Sequence, residues 1–342
     1  MSEQKKIRFA VVGCGHIGKR HIAEIKANPD SELLAVCDIK NANEFDDIDV
    51  PFFNSIGDLF DSDIQVDVIN ICTPNGFHTE QSLMALERCN VLVEKPMALS
   101  VKDANAMIKK ERETGNQLFC VMQNRYSPPA IWLKSIIEKK LLGDIFMVHL
   151  NCFWNRDERY YNSANWRGTK DSDGGTLFTQ FSHFVDVLFC LFNNIKLTST
   201  ILSDFTHQET TDFEDSGILN FTLEKNAIGS MQFSTSVFEK NMESSITIIG
   251  KNGSVKVGGQ YMERVEYSHI DNYSMPELIE GNNANNYGNY KGSANNHNFV
   301  IKNVIETLKG NQEKDATPEE CLEVIAFIEE VYKTKNVESI VI

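Results

Sequence analysis

This 342-residue sequence has no surplus of basic residues: 33 Lys and Arg stand against 48 Asp and Glu, a net charge of −15. A nucleic-acid backbone or an anionic membrane needs a basic face, so neither is expected as the main partner. A small anionic substrate stays open if one pocket is locally basic. The sequence also lacks any run of the roughly 20 apolar residues that a membrane span requires. Its polar start, MSEQKK, has no apolar core of a secretory signal, so the expected location is cytoplasmic. Eight cysteines are scattered through apolar runs without a C-x-x-C pair, which argues for small buried hydrophobes and against a zinc or redox site. No metal site is expected. With 42% hydrophobic residues the chain is long enough for two domains with sizeable cores.

What is present is organised around residues 5–38. Positions 7–12 form a short apolar, β-branched run, the pattern of a parallel strand buried on both faces. Gly13, Gly15 and Gly18 follow as G-x-G-x-x-G: a tight turn, a close approach to a pyrophosphate, and close packing of the next helix. That helix, over 17–28, aims its free N–H groups, from His16 and Ile17 onward, at the phosphates. A second strand, 33–37, ends at Asp38, whose carboxylate can accept both hydroxyls of an adenosine ribose. A 2'-phosphate would meet that carboxylate as like charge unless Lys40 neutralised it, so NAD is the expected cofactor and NADP the poorer one. The stretch 13–19 also fits G-x-x-x-x-G-K, but Arg20 follows where a P-loop needs a hydroxyl for magnesium. A nucleotide triphosphatase is therefore excluded.

Beyond Asp38 an acidic stretch over 41–55 reads as solvated surface, followed by a short helix at 57–60. Strands and helices then alternate: strand 66–71, helix 79–88 opened by His78, strand 91–93, helix 101–114 and strand 118–121. Such regular alternation specifies a Rossmann-type doubly wound parallel sheet, in which ligands bind at the carboxyl ends of the strands. Thr73, Pro74 and Asn75 stand at one such end and Glu94, Lys95 and Pro96 at the next, where proline admits a cis peptide. Ser127 can cap and Pro128 can start a helix running to about residue 140. From 145 the grammar changes to consecutive alternating strands, at 145–153, 196–203, 216–223, 227–234, 244–249, 254–257 and 264–267. One helix, 178–191, interrupts them and two more, 299–308 and 318–333, end the chain. The expected second domain is α+β with a mostly antiparallel sheet. The Asn-, Gly- and Tyr-rich segment 258–298 reads as a long surface loop or a substrate lid.

The expected organisation is thus an NAD-binding domain over 1–123 and a substrate-binding and oligomerisation domain over 124–342, its final helices free to pack back on the first. Three polar clusters qualify for chemistry beside a nicotinamide: Glu94 to Pro96, the loop from Trp166 to Gly175, and the helix carrying Thr179, Gln180, His183 and Asp186. A lysine at the end of a buried strand is hard to explain structurally. Helical spacing sets Thr179, His183 and Asp186 on one face, serving one pocket. Taken alone, a histidine in so apolar a helix reads first as a core residue. Arg125, Tyr126 and Arg167 are candidates for the anionic parts of a ligand, since a planar guanidinium matches carboxylate and phosphate, with ordinary ion pairs as the alternative.

The motifs GCGHIGKRH at 13–21, CTPNGFH at 72–78, EKP at 94–96, QNRY at 123–126 and GGTLFTQFSHFVDVL at 174–188 make the chain resemble the glucose-fructose oxidoreductase, inositol dehydrogenase and MocA family of NAD(P)-dependent sugar oxidoreductases. The resemblance covers nearly the whole chain. It implies an enzyme, with Lys95 and His183 lining the sugar site as catalytic residues. It also implies cofactor contacts from the glycine loop, Asp38, Thr73, Pro74, Asn75, His78, Glu94, Lys95, Gln123 and Arg167, and substrate contacts from Lys95, Arg125, Tyr126, Arg167, Thr179, Gln180 and His183. Within the family, YYNSANWRGTKDSDGG at 160–175 and QNRYSPP at 123–129 are most similar to the branch that oxidises UDP-N-acetylglucosaminuronate at C3, which places the chain in polysaccharide biosynthesis. Thr179 departs from the Asp or Asn usual four residues before the histidine. The implied chemistry moves a hydride from a carbinol carbon to nicotinamide as the hydroxyl proton leaves. His183, with a reference pKa near 6.5, suits the base, and Lys95 can steady the alkoxide or relay the proton. A non-catalytic NAD or sugar sensor and an NAD-dependent glycosidase are the alternatives. A homodimer or homotetramer is expected, because an antiparallel sheet with helices on one face leaves the other uncovered.

Overall fold

The computed structural model describes residues 5–45, 48–286, 288 and 290–334. The first four residues of the polar start, two acids of the 41–55 stretch, and positions 287 and 289 of the 258–298 segment lie outside them. The chain divides into two compact units. One holds the described residues up to Met122 together with His297–Ile325, and the other holds Gln123–Asn296 and the described residues from Ala326 onward.

The first unit is built on β1 (Ile7–Val12), α1 (His16–Ala27), β2 (Ser31–Cys37), β3 (Phe52–Phe53), α2 (Ile56–Phe60), β4 (Val68–Ile71), α3 (His78–Leu86), β5 (Asn90–Val93), α4 (Val101–Thr114) and β6 (Leu118–Cys120). The strands form one parallel sheet in the order β3-β2-β1-β4-β5-β6. Phe9, Ala10, Val11, Ile69 and Val91 to Val93 are fully buried, as strands covered on both faces must be. The order reverses between β1 and β4, so the loops after these two strands flank the crevice where such sheets hold ligands. Ser100 accepts the Asp103 N–H at the start of α4, and Gly115 in the left-handed region ends it.

The second unit comprises α5 (Pro128–Glu138), β7 (Ile145–Phe153), α6 (Glu158–Tyr161), α7 (Ser182–Leu191), β8 (Lys196–Ser203), β9 (Ser216–Thr222), β10 (Ile228–Ser234), β11 (Glu243–Gly250), β12 (Gly253–Gly258), β13 (Arg264–Ile270), β14 (Ala284–Asn286) and β15 (Lys291–Ala294). Two final helices follow: α8 (His297–Leu308) belongs to the first unit, and α9 (Pro318–Lys333) begins there and ends in the second. The seven-stranded sheet runs β13-β12-β11-β7-β10-β9-β8. Its neighbours pair antiparallel except β7 with β10, which run parallel. Side chains on one face interlock with α7 and the end of α9, as Phe181 and Phe184 meet Trp154 edge-on and Phe327 meets Phe189 and Phe221.

Three expectations fail in detail. The helix read over 178–191 is not uniform: Leu177–Phe181 winds as a π-helical turn before α7 begins at Ser182. The wider turn changes the phase, so the expected single face of Thr179, His183 and Asp186 is broken. Ser127 does not cap α5; its hydroxyl accepts from Asn296 Nδ2 at 3.2 Å instead. The 258–298 segment is not one long loop, for it contributes β13 to the sheet edge and the two-stranded β14–β15 ribbon. Side-chain amides tie that ribbon down where no apolar pattern could announce it: Ser293 donates to Asn124 at 2.6 Å, and Asn296 Nδ2 also reaches the Gln123 carbonyl at 3.1 Å.

Candidate active site

In the first unit the glycine loop is shaped by its own backbone. Gly13 has φ +89°, and a Cβ there would lie 2.7 Å from the Cys72 carbonyl oxygen. A Cβ on Gly18 would fall 1.8 Å from the Gly13 carbonyl oxygen, so α1 approaches β1 only because that position is bare. Gly15 is different: a Cβ there would meet nothing within 4 Å. No packing within the unit requires this glycine, and the space left clear at the head of α1 fits a dinucleotide pyrophosphate against exposed N–H groups. His16 stands exposed beside it and Ile17 is half-buried. Asp38 closes the loop from the far side: Oδ2 accepts the Cys14 N–H at 2.7 Å and Oδ1 the Lys40 N–H at 3.0 Å. The carboxylate is thereby fixed at the end of β2.

The ends of β4 and β5 carry the next group. Thr73 donates to Gln81 at 2.6 Å, Asn75 is buried, and the Lys95–Pro96 peptide is cis. His78 is wholly buried, with Nδ1 2.8 Å from the Pro96 carbonyl oxygen and Nε2 2.8 Å from that of Thr73. It braces the two loops together, and burial pushes its pKa down against those hydrogen bonds. Glu94 is the centre of a buried network. Its Oε1 lies 2.9 Å from His21 Nε2 and 3.2 Å from His297 Nε2, and its Oε2 accepts the Lys95 N–H at 3.1 Å. Asn70 Nδ2 lies 2.9 Å from His21 Nδ1; donation there leaves the His21 proton on Nε2, facing the carboxylate. Burial alone would raise the Glu94 pKa, but the hydrogen bonds from both histidines outweigh it and hold the carboxyl well below its ordinary range. Burial pushes His297 the other way, below the ordinary imidazole value. Lys95 thus stands half-buried on a backbone anchored by an ionised glutamate.

In the second unit His183 is 2% exposed on α7, two residues past the π-helical turn. Thr179 donates to the Asp173 carbonyl at 2.7 Å and also hydrogen-bonds its carboxylate, and Asp173 Oδ2 in turn accepts the Gly168 N–H at 2.7 Å. This ties the 166–175 loop to the turn before α7. Asp186 does not join His183 in one pocket: it is fully buried in a forked ion pair with Arg125, Nε at 2.9 Å and Nη2 at 2.6 Å. Gln123 is buried and Tyr126 half-buried beside Arg125 in sequence. Gln180 joins a different group, donating to the Tyr160 hydroxyl at 2.7 Å and accepting from Arg156 Nε at 2.7 Å. Arg167 lies 3.9 Å over the Tyr160 ring. Burial raises the Tyr160 pKa to about 12.

The fold therefore gathers the glycine loop, Asp38, Thr73 to His78, Glu94 and Lys95 in the first unit, and Gln123, Arg125, Tyr126, Arg167, Thr179, Gln180 and His183 in the second. Sequence reasoning missed His21, His297 and Arg156. His21 was visible, four positions after the loop's central Ile17, but nothing in the pattern paired it with Glu94.

Comparison with known proteins bears on both units. Residues 7–122 match the model of the Gfo/Idh/MocA oxidoreductase family, NAD-binding Rossmann fold, and residues 134–340 match that family's C-terminal alpha/beta domain. The WlbA dehydrogenase of Chromobacterium violaceum, crystallised with NADH and UDP-GlcNAcA, is 30% identical, with a TM-score of 0.86 over 98% of this chain and 94% of that one. The Bordetella pertussis WlbA dehydrogenase, in complex with the same two molecules, is also 30% identical, with a TM-score of 0.85 over 96% of each chain. Among curated proteins, the D-glucoside 3-dehydrogenase of Escherichia coli K12 is 30% identical over 156 residues, 42% of each chain. The chain's match thus spans less than half the length of that relative. Among the described residues no helix is long and apolar enough to cross a membrane.

Proposed function

This chain belongs to the Gfo/Idh/MocA family of NAD-binding oxidoreductases, and on that premise we propose that it oxidises the C3 hydroxyl of UDP-N-acetylglucosaminuronate or a closely related nucleotide sugar. The observation that carries this reading is 30% identity sustained over 98% of the chain to a dehydrogenase crystallised with NADH and that uronate. Gly13, Gly15, His16, Ile17 and Gly18 would cradle the pyrophosphate, Asp38 the adenosine ribose, and Thr73, Pro74, Asn75, His78, Glu94, Lys95, Gln123 and Arg167 the rest of the cofactor. NAD, when bound, supplies the nicotinamide carbon that accepts the hydride. His183 removes the hydroxyl proton as the C–H bond breaks, and Lys95 hydrogen-bonds the developing alkoxide from the backbone that Glu94 holds. Arg125, Tyr126, Arg167, Thr179 and Gln180 complete the substrate side. Arg125 has a buried partner in Asp186, so its contribution is to shape the site rather than to lend charge. The division of labour follows, with cofactor binding in 1–123 and substrate binding and self-association in 124–342. Presence of both Lys95 and His183 favours an enzyme over a sensor of the same fold.

We further infer a homodimer or homotetramer that pairs the second unit's sheets. One face of that sheet is exposed yet apolar: Ile228 and Ile249 flank Met147 in register, and Ile201 pairs with Ile218, with Ile201 58% and Ile228 53% exposed. A second copy of the same face would cover them.

Single-turnover hydride transfer, NAD titration and thermal melting of Lys95→Met and His183→Ala test the chemistry. Each variant should lose roughly 10²- to 10⁴-fold in rate while binding NAD nearly as the wild type does. A His183→Ala protein with wild-type rate and a lowered melting temperature would return that residue to the core.

A further inference from the structure

Two guanidinium groups share one aromatic cage in the second unit. Arg156, only 1% exposed, lies 4.8 Å from the Trp154 ring, 5.2 Å from Tyr160 and 5.0 Å from Tyr290. Arg167 lies over the same Tyr160 at 3.9 Å, with Trp166 at 5.1 Å and Tyr290 at 5.5 Å. The two tyrosines meet edge to face, 4.9 Å apart at 84°. Every hydrogen bond from Arg156 ends on a neutral acceptor: Gln180 Oε1 at 2.7 Å, the Asn155 carbonyl at 2.6 Å, Asn241 Oδ1 at 3.1 Å and the Lys291 carbonyl at 3.1 Å. Arg167 donates from Nη2 to the Tyr290 hydroxyl at 3.1 Å, and its buried Nε has no hydrogen-bond partner among the described residues.

Among the described residues neither guanidinium has a carboxylate within ion-pair distance. Asp173 acts on Arg167 through space, but its carboxylate is directed at Gly168 and Thr179. Aromatic faces and carbonyl dipoles soften the burial of a cation; they do not cancel its charge. Two like charges over shared rings also repel one another. A chain with 48 acidic residues and a net charge of −15 has no shortage of counter-ions, yet among the described residues none pairs directly with either guanidinium. An anion arriving from outside resolves the imbalance, and the half-buried Arg167 has the planar fork that such a group fits.

We propose that Arg156 and Arg167 form the seat for the anionic group of the substrate, a carboxylate or a phosphate, with Arg167 making the contact and Arg156 acting behind it as a positioning charge. The identity of the substrate rests on the nucleotide-sugar reading above; the oxyanion seat itself does not.

The test is calorimetric titration of the full-length protein with UDP-N-acetylglucosaminuronate, UDP-N-acetylglucosamine, free N-acetylglucosaminuronate, UDP and inorganic pyrophosphate, for wild type, Arg167→Gln and Arg156→Met. Arg167→Gln should bind the anions of the seat about 10- to 100-fold more weakly, the scale of a lost charged hydrogen bond, with an unchanged melting temperature. Arg156→Met should weaken the same ligands by a smaller factor; if it fails to fold, Arg167→Gln alone decides. A carboxylate in the seat predicts that UDP-N-acetylglucosamine binds weakly to wild type and is indifferent to Arg167→Gln. A phosphate there predicts that UDP and pyrophosphate lose affinity alongside the uronate. A folded Arg167→Gln that binds all five ligands as wild type does, or a wild type that binds none of them, overturns the proposal. Anions held through Arg167 without any hydride transfer would overturn the catalytic reading and leave the seat standing.

Discussion

The two units bury charge in opposite ways. In the first, Glu94 is surrounded by His21, His297 and the Lys95 N–H, and the fold itself satisfies the carboxylate. In the second, Arg156 and Arg167 sit among rings, amides and carbonyls, with no carboxylate in ion-pair distance among the described residues. The contrast separates a charge that holds structure in place from charges that wait for a ligand. The same distinction applies within the glycine loop, where Gly13 and Gly18 are demanded by the surrounding backbone and Gly15 is not.

The largest effect expected from breaking this contrast comes from one methyl group placed at two positions. Gly18→Ala forces a Cβ into the Gly13 carbonyl and should cost upwards of about 4 kcal/mol or unfold the first unit. Gly15→Ala adds the same atom to open space, should change stability by about 0.5 kcal/mol or less, and should nevertheless weaken NAD binding. Melting curves and NAD titrations of the pair read both halves. Equal destabilisation would mean that Gly15 is structural after all.

Next is Glu94→Gln, which leaves two buried histidines facing a neutral amide and should cost about 3 kcal/mol near neutral pH. The pH dependence has a definite sign. Because the folded-state pKa of Glu94 lies below its unfolded value, about 4.3, the stabilisation is fully present above that pH and disappears as pH falls through the folded value. The gap in melting temperature between wild type and variant should therefore narrow on acidification. A gap constant from neutral to acid pH would show that the carboxylate is not ionised in the folded protein.

Asp38→Ala should raise the NAD dissociation constant about 10- to 100-fold, the scale of charged hydrogen bonds, and relax the preference over NADP. Wild type that binds NADP the more tightly would remove Asp38 from the ribose. The smallest effect on the folded unit is expected from Ile228→Glu on the exposed sheet face, within about 0.5 kcal/mol of wild type. It should split the oligomer all the same. Light scattering that gives a 38.7 kDa particle for the wild type would deny that the face is covered.

Much of the architecture was legible where one physical requirement dominates. Runs buried on both faces gave the strands of the parallel sheet, and the helix read over 101–114 matches α4 at its observed bounds. The glycine loop was legible because backbone contacts leave no alternative at Gly13 and Gly18. The π-helical turn before α7 was not, since its residues fit an α-helical period and the extra residue shows only in hydrogen bonding. The parallel pairing of β7 with β10 was hidden because strand order is a long-range property. The asparagine amides and serine hydroxyl that pin the β14–β15 ribbon carry no hydrophobic period at all. Arg156 escaped for another reason: in sequence an arginine between Asn155 and Asp157 reads as surface, and only the fold brings Trp154, Tyr160 and Tyr290 around it.

The proposed activity, oxidation of a uronate-bearing nucleotide sugar with NAD, is directly measurable. Purified protein should be incubated with NAD and UDP-N-acetylglucosaminuronate, with formation of NADH followed by absorbance and the sugar weighed by mass spectrometry. NADH should form in step with a sugar product lighter by two hydrogens, with far less of either from the neutral UDP-N-acetylglucosamine. No NADH from the uronate, or release of a free aglycone without net NADH, would contradict it.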